Sequence, residues 1–145
     1  MFASQEEYAE MTKLLESWKN DPQNMKSAFV KFKDKLLNKD NTILSFISRP
    51  GVSYSLRATV KNSDEKDKPL FVMVDIIDDD PENRWLSVCF YGDMITDPEE
   101  AGDFVPQGLL GEDGHCFDLD EDDESMFSYI EERIDEAHAY MSAGK

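Results

Sequence analysis

The stretch Val52-Ser53-Tyr54-Ser55-Leu56-Arg57-Ala58-Thr59-Val60 decides the fold. Val52, Tyr54, Leu56, Ala58 and Val60 alternate strictly with Ser53, Ser55, Arg57 and Thr59, and a period of two marks a strand with one buried and one wet face. Residues 42–48 read as its hairpin partner across Arg49-Pro50-Gly51. Downstream, a polar loop over residues 61–68 leads to the apolar run 69–77, and Asp78-Asp79-Asp80-Pro81-Glu82-Asn83 turns the chain into the run 85–91. Both runs read as central strands. Residues 92–114 are rich in Gly, Pro and acid, which predicts a long loop holding at most a short helix or an edge hairpin. Residues 115–119 read as a fifth strand.

Helical periodicity lies on either side of this block. Ser4 and Glu7 have capping-box spacing, and Tyr8, Met11, Leu14, Leu15 and Trp18 recur as one stripe of a helix over 4–19. Asp21-Pro22 ends it and predicts the start of a second helix, with Asp as cap and Pro in the first turn. Met25, Ala28, Phe29, Phe32 and Leu36 form that helix's apolar stripe, and Lys31, Lys33, Lys35 and Lys39 complement its C-terminal dipole. Met126, Phe127, Ile130, Ile134 and Ala137 mark a third helix over 123–141. No βαβ alternation demands a parallel sheet. The reading is a single α+β domain over residues 1–145. Its antiparallel meander of about five strands carries two N-terminal helices and one C-terminal helix on one face.

Charge is divided unevenly along this chain of 145 residues. Residues 1–72 hold 10 acidic and 12 basic side chains, and residues 73–145 hold 22 and 3, so the net −17 is +2 from the first half and −19 from the second. Such a field repels nucleic acid and anionic lipid and attracts basic proteins and hard cations. Apolar content is 40%, so the acid rides on a sequence able to build a core. The longest apolar runs fall well short of a membrane span, and the first residues lack a basic and apolar leader, which places the protein in the cytoplasm by expectation. With two cysteines, Cys89 and Cys116, no disulfide framework or paired zinc spacing is present, and reduced thiols are expected.

The acids form three groups: Asp78, Asp79 and Asp80; Glu99, Glu100 and Asp103; and Asp118, Asp120, Asp122, Asp123 and Glu124. A calcium loop counted from Asp118 fails, because Asp123 stands where Gly is required and Tyr129 where Glu is required. Counted from Asp97, Ala101 and Gly108 fall on ligand positions. Turn chemistry and helix capping account for part of the acid; the remainder is a candidate surface for a basic partner or a cation such as Ca²⁺, Mg²⁺ or Mn²⁺. His115 with Asp113 and Asp118 forms a candidate transition-metal set. A Cys-His nucleophile at Cys116 is opposed by the acidic surroundings, which raise a thiol's pKa. Arg57 and Arg84 could clamp an anion on the exposed sheet.

Trp85-Leu86-Ser87 and His115-Cys116-Phe117-Asp118-Leu119 resemble the tryptophan strand and Phe-Asp signature of frataxin-like iron-handling proteins, which are also small, acidic and α+β. The resemblance covers eight residues, and the intervening 27 residues, the two opening helices and the late acids depart from the family pattern. It implies iron handling without assigning ligands. Three functions follow as expectations. The first is an acidic adaptor, monomer or homodimer, that binds a basic protein segment and neither nucleic acid nor membrane. The second is a metal- or small-ligand-binding protein using the acid-rich loops and His115. The third is a small hydrolase-type enzyme. No cofactor is named by any motif.

Overall fold

The alternation at residues 52–60 becomes a strand of a six-stranded antiparallel sheet in the computed structural model, which describes residues 1–61 and 68–143. All but the ends of the polar loop expected at 61–68 lies outside the described residues. The chain order is α1 (Gln5–Ser17), α2 (Met25–Leu37), β1 (Thr42–Arg49), β2 (Ser53–Val60), β3 (Val72–Ile77) and β4 (Trp85–Tyr91). A single 3-10 turn at Gly92–Met94 follows, then β5 (Asp103–Leu109), β6 (Glu112–Leu119) and α3 (Glu124–Ala143). The spatial order β1-β2-β3-β4-β6-β5 joins a four-strand meander to a hairpin inserted with its second strand inward. The fold is α+β, and no described helix is long and apolar enough to cross a membrane.

The sheet has six strands where about five were expected, because residues 103–109 pair along β6 as an edge strand. Its signal is hidden by Pro106, by a register shift between Val105 and Leu109, and by a turn that places Leu110 at φ 51° before Gly111 at φ 89°. A two-residue hairpin loop with both residues at positive φ normally carries Asn-Gly or Asp-Gly, and Leu masks it.

Alternate strand residues separate cleanly. Leu56, Ala58, Val74, Ile76, Leu86, Val88 and Phe90 are fully buried and join the core that also holds Phe29, Phe32, Phe127 and Ile130 of α2 and α3. The residues between them face away from the helices. At the β1 edge, Leu44 N donates to Met1 O, Ala3 N donates to Leu44 O, and Phe46 N donates to the Glu7 carboxylate of α1 at 2.8 Å. The edge is thereby covered, while the β5 edge is blunted by Pro106. Ser4 caps α1 through Glu7 N, as its spacing predicts. Tyr8, expected in the α1 core stripe, is exposed and packs edge-on to Phe2.

Two helical expectations need correction. Asp21 does cap α2, accepting from Met25 N at 2.7 Å and Lys26 N at 3.0 Å, but the helix starts three residues beyond Pro22, behind Asn24 in the left-handed region. The α2 lysines do more than complement a dipole. Lys31 pairs with Glu124 at 2.7 Å, and Lys35 and Lys39 both reach Asp135, at 3.2 and 2.5 Å. The spacing of four residues aligns Lys31 and Lys35 on one side of α2, opposite the acids of α3, and Lys39 follows just past the helix end. Lys33 pairs instead with Asp34 of its own helix.

Candidate binding face and acidic end of the sheet

Strand directions fix where the acids lie. The β3–β4 turn and the β6–α3 connection both leave the sheet at the end where β4 begins, since Leu86 pairs with Leu119 and Ile77 with Trp85. Asp79, Asp80, Asp120, Asp122, Asp123 and Glu124 therefore share one end, and all are exposed. Residues 93–103 start from the opposite end and return beside α3, so Glu99 and Glu100 belong to a different surface, near Tyr129. Asp103 and Asp118, on β5 and β6, stand on the face of the sheet that no helix among the described residues covers, the uncovered face.

Not every expected acid is free to bind. Asp78 is 2% exposed. Its carboxylate accepts from Arg84 Nε at 2.7 Å and Gly51 N at 2.8 Å, joining the β1–β2 turn to the β3–β4 turn. Burial opposes its ionisation, but the Gly51 and Arg84 bonds outweigh it and hold the carboxyl below its ordinary pKa. Asp78 thus leaves the candidate surface. Arg84 lies over Trp18 and Tyr54 on the helix-covered side, at 5.4 and 5.7 Å, while Arg57 projects from the uncovered face, so the two cannot clamp one anion. Asp80 caps its own turn, Asp123 caps α3, and Glu124 is paired to Lys31. Asp79 and Asp120 make no hydrogen bond or ion pair among the described residues.

Across the uncovered face the register sets rows of side chains. One row reads Ile47, Ser55, Asp75, Ser87, Asp118; the next reads Ser45, Arg57, Met73, Cys89, Cys116, Asp103. Ile77 and Trp85 form the row nearest the acidic end. Arg57 Nε donates to Ser55 Oγ at 3.1 Å. Asp75 Oδ1 is buried without a hydrogen-bond partner among the described residues, and burial raises its pKa against the opposing effects of Ser55, Arg57 and Arg49. Asp118 is also raised, by partial desolvation and then by the charges of Asp103 and Asp120, with Ser87 opposing. Asp75 is the site residue that sequence reading missed. Its signal is a lone charge at the middle of an otherwise apolar strand, where the period of two places it on the wet face.

The residues expected to hold a metal do not meet. His115 lies on the helix side of β6, where its Nε2 sits 2.7 Å from Asp97 Oδ2. Asp113 accepts from Gln107 N within the β5–β6 hairpin, and Asp118, an odd number of residues from both, projects from the other face. No three His, Cys, Asp or Glu side chains are grouped to hold a metal ion among the described residues. Asp97 instead ties the loop over residues 92–102 to β6 and α3. It accepts from Ala101 N at 3.0 Å, Gly102 N at 2.9 Å, His115 and the Tyr129 hydroxyl. Burial opposes its charge, but these donors prevail and hold it far below the ordinary carboxylate range. Gly102 is required by close approach, since a Cβ there would lie 2.8 Å from Phe117 Cε2 and 2.9 Å from the Cys116 carbonyl.

Cys89 and Cys116 are opposite each other on β4 and β6 and form a disulfide, where free thiols were expected. Their separation of 27 residues gives no pairing signal in sequence, because it spans the strand that was read as loop. His115 and Cys116, being neighbours on a strand, point to opposite faces and cannot act as a nucleophile and base pair. His138 Nε2 donates to the Asp40 carbonyl at 3.0 Å and packs edge-on to Phe71, which gives it a structural place at the rim. The two strings that resemble frataxin-like proteins lie on the adjacent strands β4 and β6, with Ser87 opposite Asp118. No protein-family model matches the chain, and no curated protein or solved structure matches it.

Proposed function

We propose that this chain is a non-catalytic binding protein that takes a basic, amphipathic protein segment at the acidic end of its uncovered sheet face. One juxtaposition supports the reading: Asp79 and Asp120, without ion-pair partners among the described residues, flank a sheet end where Ile77 and Trp85 are only half-buried. The acids would steer lysines and arginines to this end, and the apolar row would hold the complex once formed. Of the α2 lysines, Lys31 and Lys35 are engaged with α3, Lys31 at this end through Glu124, and of the first half Arg49 also stands in the row of Ile77 and Trp85. A cytoplasmic setting would keep Cys89 and Cys116 reduced for most of the time, so binding is measured in both redox states.

The test uses a dye-labelled peptide of alternating lysine and leucine and follows its fluorescence anisotropy at low salt and in about 0.3 M salt. Saturable binding at low salt should weaken at least about tenfold in the D79N/D120N/D122N variant. In a Trp18→Phe background, the emission of Trp85 should shift on binding. Unchanged affinity in the acid-neutralised variant, or a silent Trp85, would overturn the proposal.

A further inference from the structure

We propose that the Cys89–Cys116 disulfide is a thiol-exchange site, opened by small thiols of neutral or positive overall charge through attack on Cys116. This does not rest on the binding function above. The bond lies on the uncovered face, at the seam between the four-strand meander and the β5–β6 hairpin. Its two sulfurs differ in access: Cys89 is 7% exposed, while Cys116 is only half-buried. Along their row, Cys89 is backed by Met73 of β3, which obstructs an approach from that side. Beyond Cys116, among the described residues, lies only the edge strand, with exposed Asp103 opposite it in register.

The leaving group is also assigned. Ser87 Oγ lies 3.5 Å from Cys89 Sγ, which carries no proton in the disulfide, so the Ser87 hydroxyl, which Asp118 also draws, is the donor available to that sulfur once it becomes a thiolate. An incoming thiolate forms a bond to Cys116 Sγ as the Cys89–Cys116 bond breaks, and the electron pair leaves on Cys89 Sγ, which the Ser87 hydroxyl stabilises until water protonates it. A second molecule of the same thiol attacks the added sulfur, releasing the small disulfide and leaving Cys116 as thiol. Two thiols are oxidised and one protein disulfide is reduced by two electrons.

Charge selects the reagent. Asp103 and Asp118 share the face with Cys116, and the pKa of Asp118 is raised first by partial burial and then by the neighbouring charge of Asp103. A thiolate that also carries an ammonium is neutral overall and approaches this face readily; one that carries a second anion is repelled.

The experiment compares cysteamine with 2-mercaptoethanesulfonate on the folded, oxidised protein, at equal thiolate concentration. Opening rates are followed by acid quench and mass mapping. Cysteamine should react about tenfold faster at low salt, the ratio should fall toward one in about 0.3 M salt, and the D103N/D118N variant should lose it at low salt. Trapped adducts should sit on Cys116. Adducts on Cys89, equal rates at low salt, or opening only after denaturation would overturn the assignment.

Discussion

The two faces of one sheet are built from alternate residues of the same strands and do different work. On β4, Leu86, Val88 and Phe90 enter the core under α2 and α3, while Trp85, Ser87 and Cys89 line the uncovered face. The covered face is apolar except at its rim, where Arg84 and His115 lie; the other mixes hydroxyls, carboxylates, an arginine, a disulfide and the buried ring of Tyr91. Most core burial therefore resides on one face, and the polar groups and the disulfide on the other. Each face also has a half-buried carboxylate. Asp97, beside the covered side, is held by four donors, whereas Asp75, on the uncovered side, has an oxygen with no partner among the described residues.

The widest separation is expected from truncating neighbours on β4. Phe90→Ala removes a fully buried ring that meets Phe117 edge-on at 5.9 Å, and should destabilise by about 3 to 5 kcal/mol in urea unfolding. Ser87→Ala, on the other face, should change stability by less than about 0.5 kcal/mol. Comparable losses at both positions would mean that something covers the second face.

Breaking the disulfide comes next. It closes a loop across 27 residues of sequence, and loop-closure entropy assigns it about 3.5 kcal/mol. The C89S/C116S variant should lose that much in urea unfolding while the covered face keeps its packing. Native-state hydrogen exchange should show that loss at the amides of β1 to β4 that open only by global unfolding, and a larger one in β5, β6 and the loop before them, where local opening adds to it. Uniform loss across all strands would make the bond part of the core's stability instead of a staple on the uncovered face.

The two carboxylates should respond to pH with opposite sign. A group whose folded pKa is depressed stabilises above its unfolded value, and that contribution is lost as the pH falls. Asp97 behaves this way, its loss beginning below the ordinary value of 3.8. Asp97→Asn should remove about 2 kcal/mol at neutral pH, the scale of hydrogen bonds to a charged acceptor, and flatten the acid limb of the stability curve. Asp75 has a raised pKa, so its ionisation destabilises the fold once the pH rises through that value. Asp75→Asn should raise stability at neutral pH and leave it unchanged in acid. If both substitutions destabilise alike, the distinction between the two sites fails.

The same contrast governs what the sequence reveals. The apolar alternation of β1 to β4 is strong because one face is buried against helices, and those strands and all three helices can be placed from periodicity. β5 has no such face: residues 103–108 are exposed or half-exposed along both sides, and Pro106 and Leu110 disguise strand and turn. The disulfide and the Asp97 network depend on β5 and β6 lying beside β4, a non-sequential pairing that no local pattern reports. The acids could be counted but not placed. Strand direction brings residues 79–80 and 120–124 to one end, sends 93–103 along the other side, and buries Asp78 between two turns.

The smallest effect concerns the helical layer, where the two halves of opposite charge meet. Lys35 on α2 and Lys39 just past its end converge on Asp135 of α3, and although burial works against the carboxylate, their bonds lower its pKa. Asp135 is about half exposed, so solvent screens both pairs, and Asp135→Asn should destabilise by less than about 1 kcal/mol. That loss should vanish in about 1 M salt, where screening acts within a few ångströms. A double-mutant cycle with Lys39→Met separates the pair's own coupling from the effect of removing one acid from a chain of net −17. Coupling that disappears with salt identifies a contact between helices. A persistent gain in stability on removing Asp135 would instead show that repulsion among the acids of the second half outweighs this contact, and that α2 supplies too little positive charge to offset it.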